Sequence, residues 1–286
     1  MNIRCCLLVF VSFFVVFSHG FAEAKDDTKK VEAEANDKND TKKIRDKLFK
    51  CHLLNKSDDK IFHKILSEIP LDKTKNVEIP GIALCSVKRE KKPTNSASKK
   101  EREMFMKAIA AVAKYVNHII SEHRSFVCMV RDKMKAKIKL TKSEKEIFSM
   151  ICAFYQSNSI DVLLQRIAPI STSLAVAQAS LESGFGSNTH MHQKNAFFGM
   201  MQDKSNLLAF DTLLESVVAY AKTLNVNPCY SDFRKMRNKM LGSSQKIDGL
   251  KLASTIKGYA ENKAYERNLV TLIEEYNLVS LDKAYT

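Results

Sequence analysis

Two short signatures do most to limit what this chain can fold into. Ser98-Lys99-Lys100-Glu101 and Thr141-Lys142-Ser143-Glu144 are capping boxes, in which a hydroxyl and a glutamate three residues on satisfy the free backbone donors of a helix start reciprocally. Behind the first, Phe105, Ile109, Val112, Val116 and Ile119 recur at helical spacing; behind the second come Ile147, Met150, Ile151 and Phe154. That period buries one stripe of a helix. Leu174, Ala177, Gln178 and Leu181 mark another helix, entered through Pro169 and Ser171-Thr172-Ser173 and stopped by Gly184, a residue that readily takes the left-handed helix-ending conformation. Leu214, Val217, Val218, Ala221 and Leu224 predict a further one, ended by Asn227-Pro228, and two more are expected over about 231–241 and 263–278. The basic stretch 131–142 reads as a helix end and a solvated turn. No stretch alternates at the strand period, so the expected class is mainly α.

The chain opens with Met1-Asn2-Ile3-Arg4, an apolar run over residues 5–17, and Ser18-His19-Gly20-Phe21-Ala22-Glu23-Ala24. A basic start, a short apolar core and small residues before the cut are the pattern of an export signal, here with cleavage expected after Ala24. Crossing a bilayer takes about 20 apolar residues, and this run stops short of that. Residues 25–43 mix Lys, Asp, Glu, Asn and Thr with almost nothing to bury and read as a solvated tether. Residues 44–97 hold a short helical piece at 61–69 and a Pro-containing stretch that closes in a linker at Asn95-Ser96-Ala97. The expectation is a small N-terminal helical extension on a larger helical domain, 98–286, with its catalytic core at about 145–280.

The net charge of +14 is spread along the chain rather than gathered in one block. Such a field draws an exported protein to an anionic polymer or, loosely, to a membrane surface. Nucleic acid is excluded as a partner by the export signal and by the lack of an interleaved basic-aromatic motif. There is no Trp, so stacking on sugar rings would fall to Phe and Tyr. Behind the leader stand Cys51, Cys85, Cys128, Cys152 and Cys229, an odd set without a C-x-x-C pattern; an oxidising compartment would permit one or two disulfides, and buried free thiols are expected for most of them.

The chemistry concentrates between Ser173 and Gln202. Glu182 ends an apolar helix immediately before Ser183-Gly184-Phe185-Gly186, where the negative end of the helix dipole and an apolar surround both disfavour a carboxylate. A glutamate kept protonated in this way suits a general acid that protonates the leaving oxygen of a glycosidic bond. Gly184 and Gly186 would let a substrate chain approach the backbone closely. His190 and His192 flank Met191 without a third ligand in sight, so neither a metal nor another cofactor is expected.

Ala177-Gln178-Ala179-Ser180-Leu181-Glu182-Ser183-Gly184-Phe185-Gly186, followed by Asn195-Ala196-Phe197-Phe198-Gly199, resembles the paired motifs of the glucosaminidase family, glycoside hydrolase family 73. Residues 216–233 look like that family's helix ending in Leu-Asn-x-Asn-Pro-x-Tyr, and Gly258-Tyr259-Ala260 with Tyr265 downstream looks like its Gly-Tyr-Ala element. The layout is most similar to the family's Bax-like bacterial subgroup. The resemblance implies a lysozyme-like helical domain with a cleft and hydrolysis of peptidoglycan strands at N-acetylglucosamine. It further implies Glu182 as catalytic acid, Tyr259 as the cleft tyrosine, and Phe185, Asn195, Phe198 and Gly199 as residues shaping the cleft. Only residues 200–211 fill the interval where relatives carry a small β lobe, so that lobe is expected to be reduced. A second carboxylate, usual in glycosidases, would be Asp203, with Asp211 and Glu215 as poorer candidates; substrate assistance by the sugar's acetamido group would need none. Two rivals stay open. Lytic transglycosylases also use a single Glu in an E-S motif and carry a stretch similar to Gly199-Met200-Met201-Gln202, and a wall-binding scaffold on a degenerate hydrolase fold would need no chemistry at all.

Overall fold

The long apolar series read above form helices that close around one of their number. The computed structural model describes residues 42–44, 48, 97–203, 205–243, 245–256 and 264–282. In chain order the helices are α1 (Lys99–Lys135), α2 (Lys142–Tyr155), α3 (Ile160–Arg166), α4 (Thr172–Ser183), α5 (Thr189–Gln193), α6 (Leu213–Val226), α7 (Ser231–Gly242), α8 (Gly249–Ala253) and α9 (Ala264–Glu275), with 3-10 turns at Pro228–Tyr230 and Leu278–Leu281. The only β pairing among the described residues is an isolated antiparallel bridge between Met201 and Leu207. The fold is mainly α, as a lysozyme-like helical domain requires, and little more than that bridge occupies the interval of the reduced lobe.

Both capping boxes form with both of their hydrogen bonds. The first launches a 37-residue helix that buries Met106, Ile109, Val112, Val116, Ile119, Ile120 and Val127. This helix runs farther into the basic stretch than the sequence suggests. It ends at Lys135, where cations favour the negative helix end, and Lys133 Nζ donates to Glu144 Oε1 at 2.5 Å.

Helix α4 is the axis of the domain. Its residues from Thr172 to Ser180 are all buried, so it is enclosed on every side rather than along one stripe. Helices α1, α8 and α9 and the Leu278–Leu281 turn pack against it, and α6 packs on α1. The helix expected over 263–278 stops at Glu275, because Asn277 turns to a left-handed φ of 49° before the 3-10 turn. Helices α3, α5 and α8 were not visible as periodicity, being too short to repeat it.

Residues 42 and 43, the last of the expected tether, are exposed but helical, and Lys42 Nζ donates to Asp211 Oδ2 at 2.5 Å. Leu48 lies in the core. The export signal, the rest of the tether, the 61–69 helix and Tyr259 lie outside the described residues. Cys128, Cys152 and Cys229 are free thiols, of which Cys152 is buried.

Candidate functional site

Helix α4 ends in three successive left-handed residues, Gly184 (φ 58°), Phe185 (φ 57°) and Gly186 (φ 73°). For Phe185 that conformation costs about 1–2 kcal/mol, and the surrounding bonds impose it. Phe185 N donates to the Ser180 carbonyl at 2.9 Å and Asn188 N to the Ser183 carbonyl at 3.0 Å. The Ser183 hydroxyl accepts from Gly186 N at 2.8 Å and donates to the Ala179 carbonyl at 2.6 Å. Gly186 is buried, and a Cβ there would stand 2.7 Å from a ring carbon of Phe105. The space its missing side chain leaves is therefore filled by α1, not left open for a substrate. Phe185 is half-buried, with the Arg102 guanidinium 5.0 Å above its ring and Tyr276 at 5.8 Å.

Glu182 stands one turn from Gln178 on the same face of α4, the spacing at which helical side chains meet. The Tyr265 hydroxyl from α9 lies near its carboxyl. Gln178 Nε2 donates to that same hydroxyl at 3.2 Å, and the Tyr220 hydroxyl from α6 donates to Gln178 Oε1 at 2.6 Å. The Tyr220 ring is stacked on Phe198, centroids 4.1 Å apart and planes 12° apart. Burial pushes the Glu182 carboxyl above its ordinary range, and the Tyr265 hydroxyl opposes this. Burial and the neighbouring Glu182 charge push the Tyr265 phenol upward, so it stays a proton-bearing donor at neutral pH. The arrangement provides a carboxyl that carries its proton to higher pH than an exposed glutamate.

The second motif wraps round this carboxyl. Gly199 has φ 63°, and a Cβ there would lie 3.0 Å from Glu182 Oε2. Gly199→Ala should therefore cost about 1–2 kcal/mol in backbone strain and displace the carboxyl. Misplacement on the 1 Å scale lowers rates by up to about 10²-fold. Thermal melts alongside glycan-release rates separate the two effects, since a destabilised variant with the parent rate would confine the glycine's role to the backbone.

Phe198 is fully buried, so it supports the site through Tyr220 rather than lining a surface. Asn195 takes a φ of 49° and donates to the carbonyls of Phe210 and Asp211 at 3.0 and 3.3 Å, tying the motif to the start of α6. Asp203 is occupied by its own turn: its carboxylate accepts from the backbone of Ser205 and Asn206 and from both their side chains. These donors, the Asn206 amide foremost, hold it down at about 2. Asp211 pairs with Lys42, and Glu215 Oε2 accepts from Asp211 N at 3.2 Å. His192 packs edge-on to Phe197 at 5.9 Å, while His190 is exposed. Sequence reading named Gln178 as a helix marker and, like Tyr265, as part of a motif, without giving either a role, and it passed over Tyr220 and Arg102. The available signal was Gln178 itself, a large polar side chain among the apolar positions of the helix, which burial obliges to find partners.

Residues 162–278 match the family model for Glucosaminidase, described as mannosyl-glycoprotein endo-beta-N-acetylglucosaminidase. Over this segment the chain is similar to the glucosaminidase family. The matched segment runs from within α3 to the Leu278–Leu281 turn and contains Glu182, both glycine motifs, Tyr220 and Tyr265. It supports a glycosidase-type enzyme with a glycan substrate. A curated relative, Protein bax of Escherichia coli (strain K12), is 30% identical over 126 residues, covering 40% of this chain and 46% of the relative. The chain thus matches less than half the length of that relative. No solved structure matches the chain.

Proposed function

We propose that the chain is an exported, envelope-associated hydrolase that cuts the glycan strands of peptidoglycan at N-acetylglucosamine, with Glu182 as the general acid. The observation that carries this reading is a half-buried carboxyl, raised by burial, at the end of a core helix inside the segment similar to the glucosaminidase family. The spread of positive charge favours an anionic, wall-like polymer over a neutral glycan.

In the mechanism, Glu182 gives its proton to the glycosidic oxygen as the bond from C1 to that oxygen breaks, and the leaving sugar departs as an alcohol. The engagement of Asp203 within its own turn favours a route in which the acetamido oxygen of the substrate bonds to C1. Water then attacks C1, releases the acetamido group, and returns a proton to Glu182, which acts as base in this second step.

Mass spectrometry of fragments released from purified peptidoglycan tests the proposal, with Glu182→Gln as control. Reducing N-acetylglucosamine ends, absent from the control, are expected. Anhydro-muramyl ends would move the chain to transglycosylase chemistry, and retained binding to the wall without release would make it a scaffold.

A further inference from the structure

Helix α1 ends in a turn that is braced on its inner side and bare on its outer one. Lys137 takes a left-handed φ of 57°. Its N–H donates to the Met134 carbonyl at 3.1 Å, and Ile138 N donates to the Lys133 carbonyl at 2.8 Å. These two bonds make a Schellman ending, in which the second residue past the cap frequently packs an apolar side chain on the last turn of the helix. Here the position to pack on is Lys133, whose ammonium is drawn to Glu144 on α2, and Ile138 stays 55% exposed. Met134, in the last turn, is 58% exposed, and these two are the barest large apolar side chains among the described residues. Met134-Lys135-Ala136-Lys137-Ile138-Lys139 alternates apolar and basic residues, and all six are exposed. An open groove lined by Cys128, Met129 and Ile138, with Arg124, Asp132 and Lys133, continues the apolar surface from Ile138 back along α1. Residues 131–146 hold seven cations and three acids. Asp132 and Glu144 are paired with Arg131 and Lys133, so the exposed Lys135, Lys137, Lys139, Lys142 and Lys145 set the sign of the field around Met134 and Ile138.

We propose that this turn is the contact by which the chain sits on an anionic phospholipid surface, with Met134 and Ile138 entering the acyl boundary and the lysines lying among the headgroup phosphates. Basic residues beside a small apolar patch suit a lipid interface, where charge attraction and apolar burial add. An anionic wall polymer would offer the lysines the same charge but no apolar layer for Met134 and Ile138, and those two side chains favour lipid. Among the described residues no single helix is long and apolar enough to cross a membrane, so the contact is one of surface docking. Phe105, which fills the space beside Gly186, precedes Lys135 on the same helix by a length of about 45 Å at the α-helical rise. A chain docked by this turn therefore holds its candidate site away from the bilayer, on the side where a glycan layer would lie.

The chain has no Trp, so Ile138→Trp in the full chain introduces a sole fluorescent reporter at the turn. Met104→Trp, near the other end of α1 and 44% exposed in the parent, places the same reporter where no contact is expected. The apolar run at residues 5–17 can bring any part of the full chain near a vesicle, so the difference between the two positions is the readout. On vesicles of phosphatidylglycerol with phosphatidylcholine, the emission of Ile138→Trp should move to the blue and be quenched by brominated acyl chains, and that of Met104→Trp should do neither. Phosphatidylcholine alone should leave both unmoved. Adding Lys137→Gln and Lys139→Gln to Ile138→Trp should raise the lipid needed for half-maximal quenching by about 25-fold, about fivefold for each lysine at an anionic surface, and added salt should raise it for the parent turn as well. Both lysines are exposed, and matching thermal melts would show that the fold is untouched. Equal shifts at the two positions, a shift on phosphatidylcholine alone, or a titration unmoved by loss of the lysines would overturn the assignment. Loss of binding to purified peptidoglycan in the lysine variant, with the vesicle signal at its parent value, would give the turn to a polymer instead. Because the vesicles carry no glycan, a chain that releases no fragment would sink the hydrolase reading without touching this one.

Discussion

Glu182→Gln is expected to slow glycan-fragment release by at least about 10²-fold while leaving the circular dichroism unchanged. Glutamine keeps the size of the side chain but has no acidic proton to give. In the parent, activity should fall on the alkaline side as pH rises through the Glu182 pKa, which lies above the ordinary glutamate range because the carboxyl is buried. The same shift bears on stability. A carboxyl whose folded pKa exceeds its unfolded value contributes stability in full below the unfolded value, about 4.3 for glutamate. It loses that contribution as pH rises through the folded value. Glu182→Gln escapes the loss. Its melting temperature relative to the parent should therefore climb as pH is taken from about 4 upward, and a constant difference across that window would contradict burial as the source of the shift.

Asp282→Ala should be the most destabilising single change away from the candidate site. Asp282 is 4% exposed and holds the start of α4. It accepts from Ser173 N and Gly249 N at 3.0 Å each and from the hydroxyls of Ser171 and Ser173. Ser171 is also the N-cap of α4, its oxygen accepting from Leu174 N at 3.0 Å. Its carboxyl is raised by burial, and the Ser173, Ser171 and Gly249 donors oppose that rise. Alanine would strand two buried backbone donors and two hydroxyls at a helix N-terminus that favours negative charge. The expected cost is about 3 kcal/mol, which corresponds to about 6–12 °C in Tm for a domain of this size. Asp282→Asn keeps one oxygen but turns an amide donor towards others, and it should fall between. A melt within about 2 °C of the parent for the alanine variant would mean that Asp282 does not hold the helix. Because α4 carries Glu182 at its far end, release rates should fall with stability in the same variant.

The elements whose information is local were legible before any coordinates. The capping boxes at Ser98 and Thr141 form because the partners lie three residues apart in the chain, and Gly184 stops α4 in the left-handed conformation that a glycine admits. Glu182 could be singled out by its place at the end of an apolar helix beside a glycine turn. The overshoot of α1 to Lys135 and the early stop of α9 at Glu275 were harder to read. A basic run suits both a helix end and a turn, and Asn277 adopts a left-handed φ that its identity permits without demanding.

By itself the sequence determined a mainly helical domain, the capped starts of its first two helices, the stop of α4 and the carboxyl to test, since periodicity, caps and turn residues act over a few positions. Tertiary structure alone decided who surrounds that carboxyl. Tyr220 lies 42 residues from Gln178, Tyr265 lies 87 from it, and Asp282 lies 109 from Ser173. It also decided that the room beside Gly186 belongs to Phe105 and the room beside Gly199 to Glu182. Contacts at such separations arise only when whole helices pack, because a helix specifies its buried face but not which side chain of another helix will meet it there.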